Sequence, residues 1–436
     1  MTRFKPSVAA AIVIANMVGT GVFTSLGFQL VEIQSAPVLL ALWAVGGLAA
    51  LCGALSYAEL GAALPRSGGE YNFLSEIYHP SAGFISGWVS ATVGFAAPTA
   101  LAAMTFGSYL SAVFPQLSAI WLATGLIVVL AVAHSRSHES SGSTQSLFTL
   151  LKIILIIGFA ALALLWNETP SEARFAPAAG DGALLLSGAF AVSLIYVNYA
   201  YSGWNAATYI SGELENPQRS LPRVLIVSTS LVCAAYLLLN YVFLAVAPME
   251  AMVGKVEVGY VAASYAFGEA GASIMGVLLA LLLVSTVSAM ILAGPRVLHR
   301  IGEDFPVFRP LGRVNGDGIP ATAVLVQAAV ALAFLWSASF ERILVFSGAT
   351  MALNTFFTVM GVFILRWQQP NLPRPFKTWL YPLPPIIFLV ITGWTLLYIV
   401  LQRPVEATIC AGIVASGGVF YAATRFVGTR LEGSVS

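Results

Sequence analysis

The sequence predicts an all-α, polytopic membrane protein with twelve transmembrane helices. Of its 436 residues, 58% are apolar and only 9% are charged, and the mean hydropathy is +0.86. A soluble protein carries about 25% charged residues, so this composition excludes a soluble enzyme, a disordered chain and a nucleic-acid-binding protein. The formal net charge is +1 with scattered signs, which leaves no basic stripe for phosphates.

Twelve apolar runs are long enough to cross a bilayer, since a helix needs about 20 mainly apolar residues to do so. The runs lack the alternating periodicity of membrane strands. The first run continues into polar residues without a small-residue cleavage site, so we expect it to be a span and not a signal peptide. The predicted spans are 7–31, 37–63, 82–113, 118–134, 144–166, 184–211, 222–247, 271–294, 320–337, 343–366, 382–402 and 405–425.

The placement of basic residues predicts that both termini are cytoplasmic. In that orientation, fifteen of the 20 Lys and Arg residues lie on cytoplasmic segments and four on outside segments. The remaining one, Lys152, lies within a predicted span. The 19 acidic residues divide almost evenly between the two sides, so they do not cause the bias. We expect a multi-pass protein of the plasma membrane, which in a Gram-negative bacterium is the inner membrane.

Residues with catalytic or metal-binding chemistry are sparse. Cys52, Cys233 and Cys410 all fall within apolar runs and are too few for a disulfide framework or a metal cluster. The spans contain no Ser-His-Asp or Cys-His set. The glycine-rich residues 65–71 lack the Lys-Ser/Thr pair of a phosphate loop, so we expect them to form a cytoplasmic turn that packs under the bundle. The sequence therefore predicts no enzymatic activity, no cofactor and no metal ion.

The first span carries a glycine-rich interruption, Gly19-Thr20-Gly21. Each glycine costs about 1 kcal/mol against alanine in a helix interior. If the helix unwinds here, backbone N–H groups are left free at the start of a half-helix, and such groups form a carboxylate site. The alternative is a close-packed helix interface, at which small residues let two backbones approach.

The sixth span carries a second polar stretch, residues 196–205, in mid-membrane. Asn198, Ser202 and Asn205 would be poor lipid-facing residues, so we expect them to face the bundle interior. If the helix unwinds near Gly203, its freed carbonyl groups can accept from an ammonium group. Donors from one break and acceptors from the other suit a zwitterion such as an α-amino acid. Two broken helices heading two five-span halves are a strong sequence indication of a transporter site.

Three motifs together resemble one known family. Residues 19–23 (GTGVF) resemble a GSGIF-type motif of its first helix, and residues 65–71 (PRSGGEY) resemble its loop after helix two. Residues 200–205 (AYSGWN), followed by residues 213–217 (ELENP), resemble its helix-six motif. Their order and spacing resemble the amino acid–polyamine–organocation superfamily over nearly the whole chain. The residues of the helix-six motif are most similar to those of the L-type amino-acid transporter branch.

The resemblance implies the leucine-transporter-like fold, in which two five-helix repeats have inverted topology. The first repeat would span residues 1–166 and the second residues 184–366. Two further helices in residues 382–425 would lie at the periphery.

The resemblance also assigns substrate-binding residues, position by position. Those that would bind the substrate carboxylate are Gly19, Thr20 and Gly21. Those that would present carbonyl groups to the α-amino group are Ala200, Tyr201 and Gly203. Tyr199 takes the position of an aromatic gate just before the break. Asn205 takes a polar position that is acidic in some exchangers of basic amino acids, and this difference counts against a cationic substrate.

Lys152 lies about 13 Å from the cytoplasmic end of the fifth span, at about 1.5 Å per residue, where a charge costs a few kcal/mol. Snorkelling of its stem covers only part of that distance. Sodium-coupled members of the related family hold an ion between helices one and eight, and some sodium-independent members have a helix-five lysine there. The resemblance implies that Lys152 replaces Na⁺ by binding carbonyls near residues 12–15 and span-eight hydroxyls, with Ser285 and Ser288 as candidates.

The predicted function is secondary transport of neutral L-amino acids by alternating access, without sodium, by exchange or facilitated transport. One alternative is a proton-coupled amino-acid symporter. Another is a carrier of cationic amino acids or polyamines with the same fold. Such a carrier would need a carboxylate in mid-membrane that faces the site. A membrane-embedded sensor would need an output domain, for which the short loops leave no room.

The expected partners are the amino-acid substrate and membrane lipid, and not nucleic acid. No cysteine falls in a predicted outside loop, so we expect no disulfide-linked subunit. The chain is expected to be a monomer or a weak oligomer.

Overall fold

The computed structural model describes residues 5–136, 142–166, 171–305, 308–316 and 318–432. Its first helices are α1 (Pro6–Met17), α2 (Gly21–Gln29), α3 (Ala36–Ala63), α4 (Glu70–Ile77), α5 (Pro80–Val89), α6 (Ala96–Val113), α7 (Ala119–Arg136), α8 (Gly142–Trp166) and α9 (Asp181–Leu185). The later helices are α10 (Gly188–Tyr201), α11 (Pro217–Val246), α12 (Met249–Met252), α13 (Val258–Asp304), α14 (Ala321–Ser337), α15 (Phe340–Gln368), α16 (Leu383–Gln402) and α17 (Pro404–Glu432). A π-helical turn, Ser90–Gly94, joins α5 to α6, and a 3₁₀ helix, Ala206–Glu213, follows α10.

The predicted all-α, polytopic fold is confirmed. Within the described ranges, ten helical segments are long and apolar enough to cross a membrane by length and composition, and α14 is a shorter apolar helix. The first segment consists of two halves, α1 and α2. The sixth predicted run is α-helical only in α10 and continues as the 3₁₀ helix. Each of the twelve predicted runs therefore corresponds to helical structure, and the first and sixth runs are interrupted.

The eighth span is much longer than predicted. Residues 271–294 were expected to be helical, whereas α13 has 47 residues and is kinked at Gly268, where φ is +70°. The part before the kink, residues 258–267 (VGYVAASYAF), falls in the predicted connection between spans seven and eight, because glycine, serine and tyrosine interrupt its apolar residues. Another difference concerns residues 65–71, which were expected to form a turn beneath the bundle. Their last two residues instead begin the short helix α4.

Helices that hold corresponding places in the two predicted halves pack against each other. α2 packs on α10, α3 on α11, α6 on α13, and α7 on α14. The main buried core joins α1, α2 and α3 to α8, α10, α11 and α13. α17 has the smallest buried share of the ten membrane-length segments, which places the end of the chain at the periphery. This core therefore includes the place where α2 packs on α10, next to the end of α1.

Candidate functional site

The first interruption lies between α1 and α2. Helix α1 ends at Met17 and α2 begins at Gly21, and the Gly19 amide turns back to the Met17 carbonyl at 2.7 Å. Among the described contacts, the amide N–H groups of Thr20, Gly21 and Val22 donate to no acceptor. They are the first amides of α2, at the positive end of its dipole. The segment therefore presents unpaired donors that suit a carboxylate.

The second interruption follows α10. Ser202 is extended, with ψ of 153°, and Gly203 has φ of +96°, in the left-handed region that favours glycine. The carbonyl groups of Tyr201 and Ser202 accept from no donor among the described contacts. Of the other carbonyls predicted to bind the α-amino group, Ala200 accepts from the Tyr236 hydroxyl at 3.2 Å and Gly203 from an amide at 3.0 Å. Each of these two retains one lone pair.

The two interruptions lie directly against each other. A Cβ atom on Gly21 would lie 2.4 Å from the Cα of Ala200, and one on Gly203 would lie 2.9 Å from the carbonyl carbon of Asn16. Since real Cβ atoms do not approach so closely, only glycine fits at either position without displacing the other break. The same glycines that are unfavourable in a helix interior thus also allow the backbones of the two breaks to come into contact.

Tyr236 of α11 connects the two breaks. Its fully buried hydroxyl lies 2.6 Å from the Met17 carbonyl and 3.2 Å from the Ala200 carbonyl. Sequence reasoning did not single out this residue, because one tyrosine in an apolar run resembles a packing residue. A hydroxyl at this position satisfies the last carbonyl of α1 and fixes its distance from α10.

A cavity of about 1080 Å³ lies between the breaks. All eight predicted substrate-binding residues line it: Gly19, Thr20, Gly21, Tyr199, Ala200, Tyr201, Gly203 and Asn205. The lining extends to Arg66, Arg296 and Arg300, which lie at the end of the bundle that the sequence predicts to be cytoplasmic. The structure therefore brings the predicted substrate-binding residues together around one space that reaches that end.

The opposite end of the cavity is closed by packing between α2, α10 and α15. The Ser25 hydroxyl donates to the Tyr196 carbonyl at 3.2 Å. The ring of Phe28 stacks between those of Tyr196 and Phe340, with centroid distances of 6.0 and 5.5 Å. Closer to the breaks, the hydroxyl oxygens of Thr20 and Tyr199 are 3.4 Å apart.

Lys152 lies behind the first break and not in the main cavity. It is 4% exposed and lines a small apolar pocket with Val18 and Gly19. Its ammonium group donates to the hydroxyl of Thr286 in α13 at 2.9 Å. None of the ion pairs within the described ranges includes Lys152. The lysine thus links α8 to α13 beside the unwound segment.

The predicted span-eight hydroxyls are placed differently. Ser288 lies 2.7 Å from Nε2 of His134, and the buried hydroxyl of Ser285 has no hydrogen-bond partner in the part of the chain that the structure describes. The described contacts of Lys152 also include no carbonyl of residues 12–15. The partner is instead Thr286, which lies among the same span-eight hydroxyls, between the two candidates. Three hydroxyl residues follow one another within a turn of α13, and only the helix orientation decides which one faces α8.

Glu70 forms a second buried polar cluster at the cavity wall. It is fully buried at the start of α4. Its Oε1 accepts from the Tyr57 hydroxyl at 2.9 Å and from the side-chain amide of Asn205, while its Oε2 accepts from the Tyr209 hydroxyl. Sequence reasoning treated the acid as part of a cytoplasmic turn. The described residues contain no group of three or more His, Cys, Asp or Glu that could hold a metal ion.

A membrane-spanning bundle in which two helices break around a shared cavity has the architecture of a secondary transporter. Residues 4–420 match the family model described as amino acid permease. The chain therefore belongs to the amino acid permease family, which confirms the resemblance to the amino acid–polyamine–organocation superfamily.

Curated relatives extend over most of the chain. The mouse large neutral amino acids transporter small subunit 2 is 28% identical over 433 residues, which cover 95% of this chain and 79% of the relative. The human b(0,+)-type amino acid transporter 1 is 26% identical, with coverage of 94% and 85%. The mouse Asc-type amino acid transporter 1 is 27% identical, with coverage of 95% and 80%. The relatives are amino-acid transporters, in agreement with the L-type resemblance.

Proposed function

We propose that this chain is a secondary transporter that moves neutral L-amino acids across the plasma membrane by alternating access. The main support for the proposal is that one break offers hydrogen-bond donors and the other offers acceptors. Thr20 and Gly21 line the cavity and have unpaired amides, as does the adjoining Val22, whereas Tyr201 and Ser202 line it with unpaired carbonyls. An α-carboxylate and an α-ammonium group satisfy these two sets, and both groups are common to all amino acids.

The cavity lining supports an uncharged substrate side chain. Near the breaks the polar lining residues are neutral, and they include Asn16, Thr20, Asn198 and Tyr199. The charged lining residues, Arg66, Glu213, Arg296 and Arg300, lie toward the open end. A substrate held at the breaks therefore meets amide, hydroxyl and apolar groups. One relative is named for large neutral amino acids, which supports the same substrate class.

Sodium independence follows from the position of Lys152. A buried ammonium group between α8, α13 and the unwound segment occupies the region in which a cation would brace the first break. Its hydrogen bond to Thr286 gives the charge a fixed partner at 2.9 Å. Transport then proceeds by exchange or by facilitated diffusion, with the lysine ammonium group in place of a dissociable ion.

We also propose the inverted repeats predicted from the sequence, residues 1–166 and residues 184–366, with peripheral helices in residues 382–425. The packing of α2 on α10, α3 on α11, α6 on α13 and α7 on α14 supports this division, because a two-fold axis in the membrane plane pairs equivalent helices. With both termini cytoplasmic, the cavity opens to the cytoplasm, and this conformation is inward-facing.

Two alternatives each have one observation in their favour. Proton-coupled symport is favoured by the isolated burial of Lys152, since a lysine without an acidic partner can release its proton. A cationic substrate is favoured by Glu70, a buried carboxylate that lies one residue behind the cavity wall and has neutral donors as its described partners. Asn205 separates that carboxylate from the cavity, which is why we prefer a neutral substrate.

The name of one relative identifies it as a small subunit, and therefore as part of an assembly. Cys52, Cys233 and Cys410 are all buried within helices. We therefore propose that no disulfide joins this chain to a partner and that it works as a monomer or a weak oligomer. Co-migration of the chain with a second polypeptide on a non-reducing gel, lost on reduction, would contradict this.

Counterflow in proteoliposomes tests the proposed function. Vesicles are loaded with one unlabelled amino acid, and uptake of a radiolabelled neutral amino acid is followed with Na⁺ or choline outside and with or without a pH gradient. We expect saturable uptake, competition by neutral L-amino acids and no Na⁺ dependence. Uptake driven by an inward proton gradient without internal substrate would favour the symporter. Competition by lysine or putrescine alone would favour the cationic carrier.

A further inference from the structure

The buried carboxylate of Glu70 lies directly behind a residue of the cavity wall. Asn205 lines the cavity and donates its side-chain amide to Oε1 of Glu70. Glu70 itself does not line the cavity and is fully buried. Its remaining described donors, Tyr57 and Tyr209, are neutral hydroxyls. The acid therefore reaches the cavity through two lining residues, Tyr209 and Asn205, and of these two Asn205 has a second polar atom free to face the substrate.

The carboxylate decides which end of the Asn205 amide faces the cavity. Two hydroxyl donors already converge on the Glu70 carboxyl oxygens, and the Asn205 side chain adds its NH₂ group as a third donor, so the NH₂ end of the amide faces Glu70. The Oδ1 end then faces the other way, and it accepts from no donor among the described contacts. Without this constraint an amide can present either a donor or an acceptor. Glu70 thus makes the Asn205 position a hydrogen-bond acceptor.

The loop before α4 is shaped to hold this arrangement. Gly69 has φ of +53°, and a Cβ atom on it would lie 2.8 Å from the ring of Tyr209. The Ser67 hydroxyl accepts from the Gly212 amide at 2.9 Å, and the Ser211 hydroxyl donates to the Pro65 carbonyl at 3.3 Å. These contacts join the loop to the 3₁₀ helix after the second break. The carboxylate and the amide that it orients therefore belong to one interlocked unit.

We propose that Glu70 is a positioning residue that holds Asn205 as a hydrogen-bond acceptor for the bound substrate. This inference rests on the proposed function, because the hydrogen-bond donor that Asn205 accepts from belongs to the bound amino acid. Glu70 itself makes no contact with the substrate. A donor-bearing substrate is selected by the fixed polarity of the Asn205 amide, while a carboxylate or carbonyl group is repelled at the same place.

The E70Q variant tests this role, with E76Q as a matched control. Both substitutions replace a carboxylate by an amide on α4, but Glu76 is exposed and Glu70 is buried. In proteoliposome counterflow, E70Q should raise KM about tenfold, the ratio that corresponds to one lost hydrogen bond of about 1.4 kcal/mol. The maximal rate should change less than about twofold, because the cavity and the breaks stay intact. E76Q should leave both values unchanged.

A double substitution shows whether Glu70 acts through Asn205. N205A alone should also raise KM about tenfold, and E70Q combined with N205A should be no worse than N205A alone, since positions that act through one contact are not additive. Additive effects, or a wild-type KM for E70Q, would overturn the proposal. If no amino acid gives saturable uptake with the wild-type protein, the proposed function itself fails, and this outcome is distinct from additive variants of an active transporter.

N205D provides a second test that does not depend on the folding of E70Q. Aspartate keeps an acceptor oxygen toward the cavity but removes the amide donor and places a second carboxylate against Glu70. We expect its KM to rise at least as much as that of N205A, although the acceptor is retained. A wild-type KM for N205D would show that the donor to Glu70 is dispensable, and would overturn the positioning role.

Discussion

The two helix breaks use the same device but present opposite polarity. At the first break, the unpaired groups belong to the start of the following helix, α2, and a helix start leaves N–H groups free. At the second break, they belong to the end of the preceding helix, α10, and a helix end leaves C=O groups free. The polarity of each side of the site therefore follows from which half-helix borders the cavity.

The breaks also differ in how much support they receive. In the second break, the Gly203 carbonyl accepts from an amide and the Ala200 carbonyl lies 3.2 Å from the Tyr236 hydroxyl, whereas the amides that begin α2 have no acceptor among the described contacts. Lys152 contributes a positive charge beside the first break only. The first break thus combines unpaired amides with a nearby positive charge, whereas the second break presents the unpaired carbonyls of Tyr201 and Ser202, which have no charged group among their described contacts.

Closing the space between the breaks should have the largest effect. G21A and G203A each add a methyl group that meets the backbone of the other break at 2.4 and 2.9 Å. Overpacking of this kind costs about 1–3 kcal/mol, and Gly203 also needs a positive φ. We expect uptake in proteoliposomes to fall about 100-fold for both. In G125A, the added methyl group has no atom within 4 Å, and uptake should stay near wild type. Equal uptake by all three variants would mean that the breaks do not need to meet.

Removing the charge beside the first break should have the next largest effect. K152A removes the hydrogen bond to Thr286 and the buried ammonium group, and a hydrogen bond to a charged group contributes about 1.5–3 kcal/mol. We expect uptake to fall about 30-fold, while T286V, which removes only the acceptor, has a smaller effect in the same direction. K255A removes an exposed lysine and serves as the control. Normal uptake by K152A would reduce Lys152 to a packing residue.

Loosening the connection between the breaks should have a moderate effect. Y236F removes the hydroxyl that lies within hydrogen-bonding distance of the Met17 and Ala200 carbonyls and leaves the ring in place. One net hydrogen bond is about 1 kcal/mol, so we expect uptake to fall about fivefold. Y78F removes a hydroxyl that donates to the Phe357 carbonyl, away from both breaks, and should be neutral. If the two variants behave alike, Tyr236 does not couple the breaks.

The side chain of Thr20 should matter least. Its hydroxyl is 3.4 Å from that of Tyr199, at the long limit of a hydrogen bond, whereas its amide is unpaired. T20V keeps the amide and should change KM by less than about twofold in the same uptake assay. A change of tenfold or more would assign the carboxylate to the hydroxyl and not to the backbone.

The sequence was most informative where composition conflicts with a helix. Gly19, Gly21 and Gly203 are poor residues for a span interior, and the polar Asn198 and Asn205 are costly in lipid. These conflicts indicated both breaks, and the family resemblance then assigned the eight candidate residues, all of which line the cavity. The twelve runs followed from hydropathy alone, because only long apolar helices satisfy the bilayer.

Two kinds of contact could not be predicted from the sequence: those set by the rotation of a helix about its axis, and those made when a loop packs against a distant segment. Thr286 and its neighbours Ser285 and Ser288 have similar side chains, and the rotation of α13 selects Thr286. Glu70 follows a glycine-rich loop in sequence, and only the return of the loop onto the 3₁₀ helix buries it. Tyr236 lies in an apolar run without a local pattern. In each case at least one partner is more than 100 residues away in sequence, and local periodicity cannot reveal such a contact.

An experimental structure determined by electron cryo-microscopy with a neutral L-amino acid bound tests the central claim most directly. We expect density between the breaks, with the α-carboxylate about 3 Å from the amides of Gly21 and Val22 and the α-ammonium group about 3 Å from the carbonyls of Tyr201 and Ser202. Density outside this space, the reverse orientation, or a continuous helix through residues 18–20 would contradict the account.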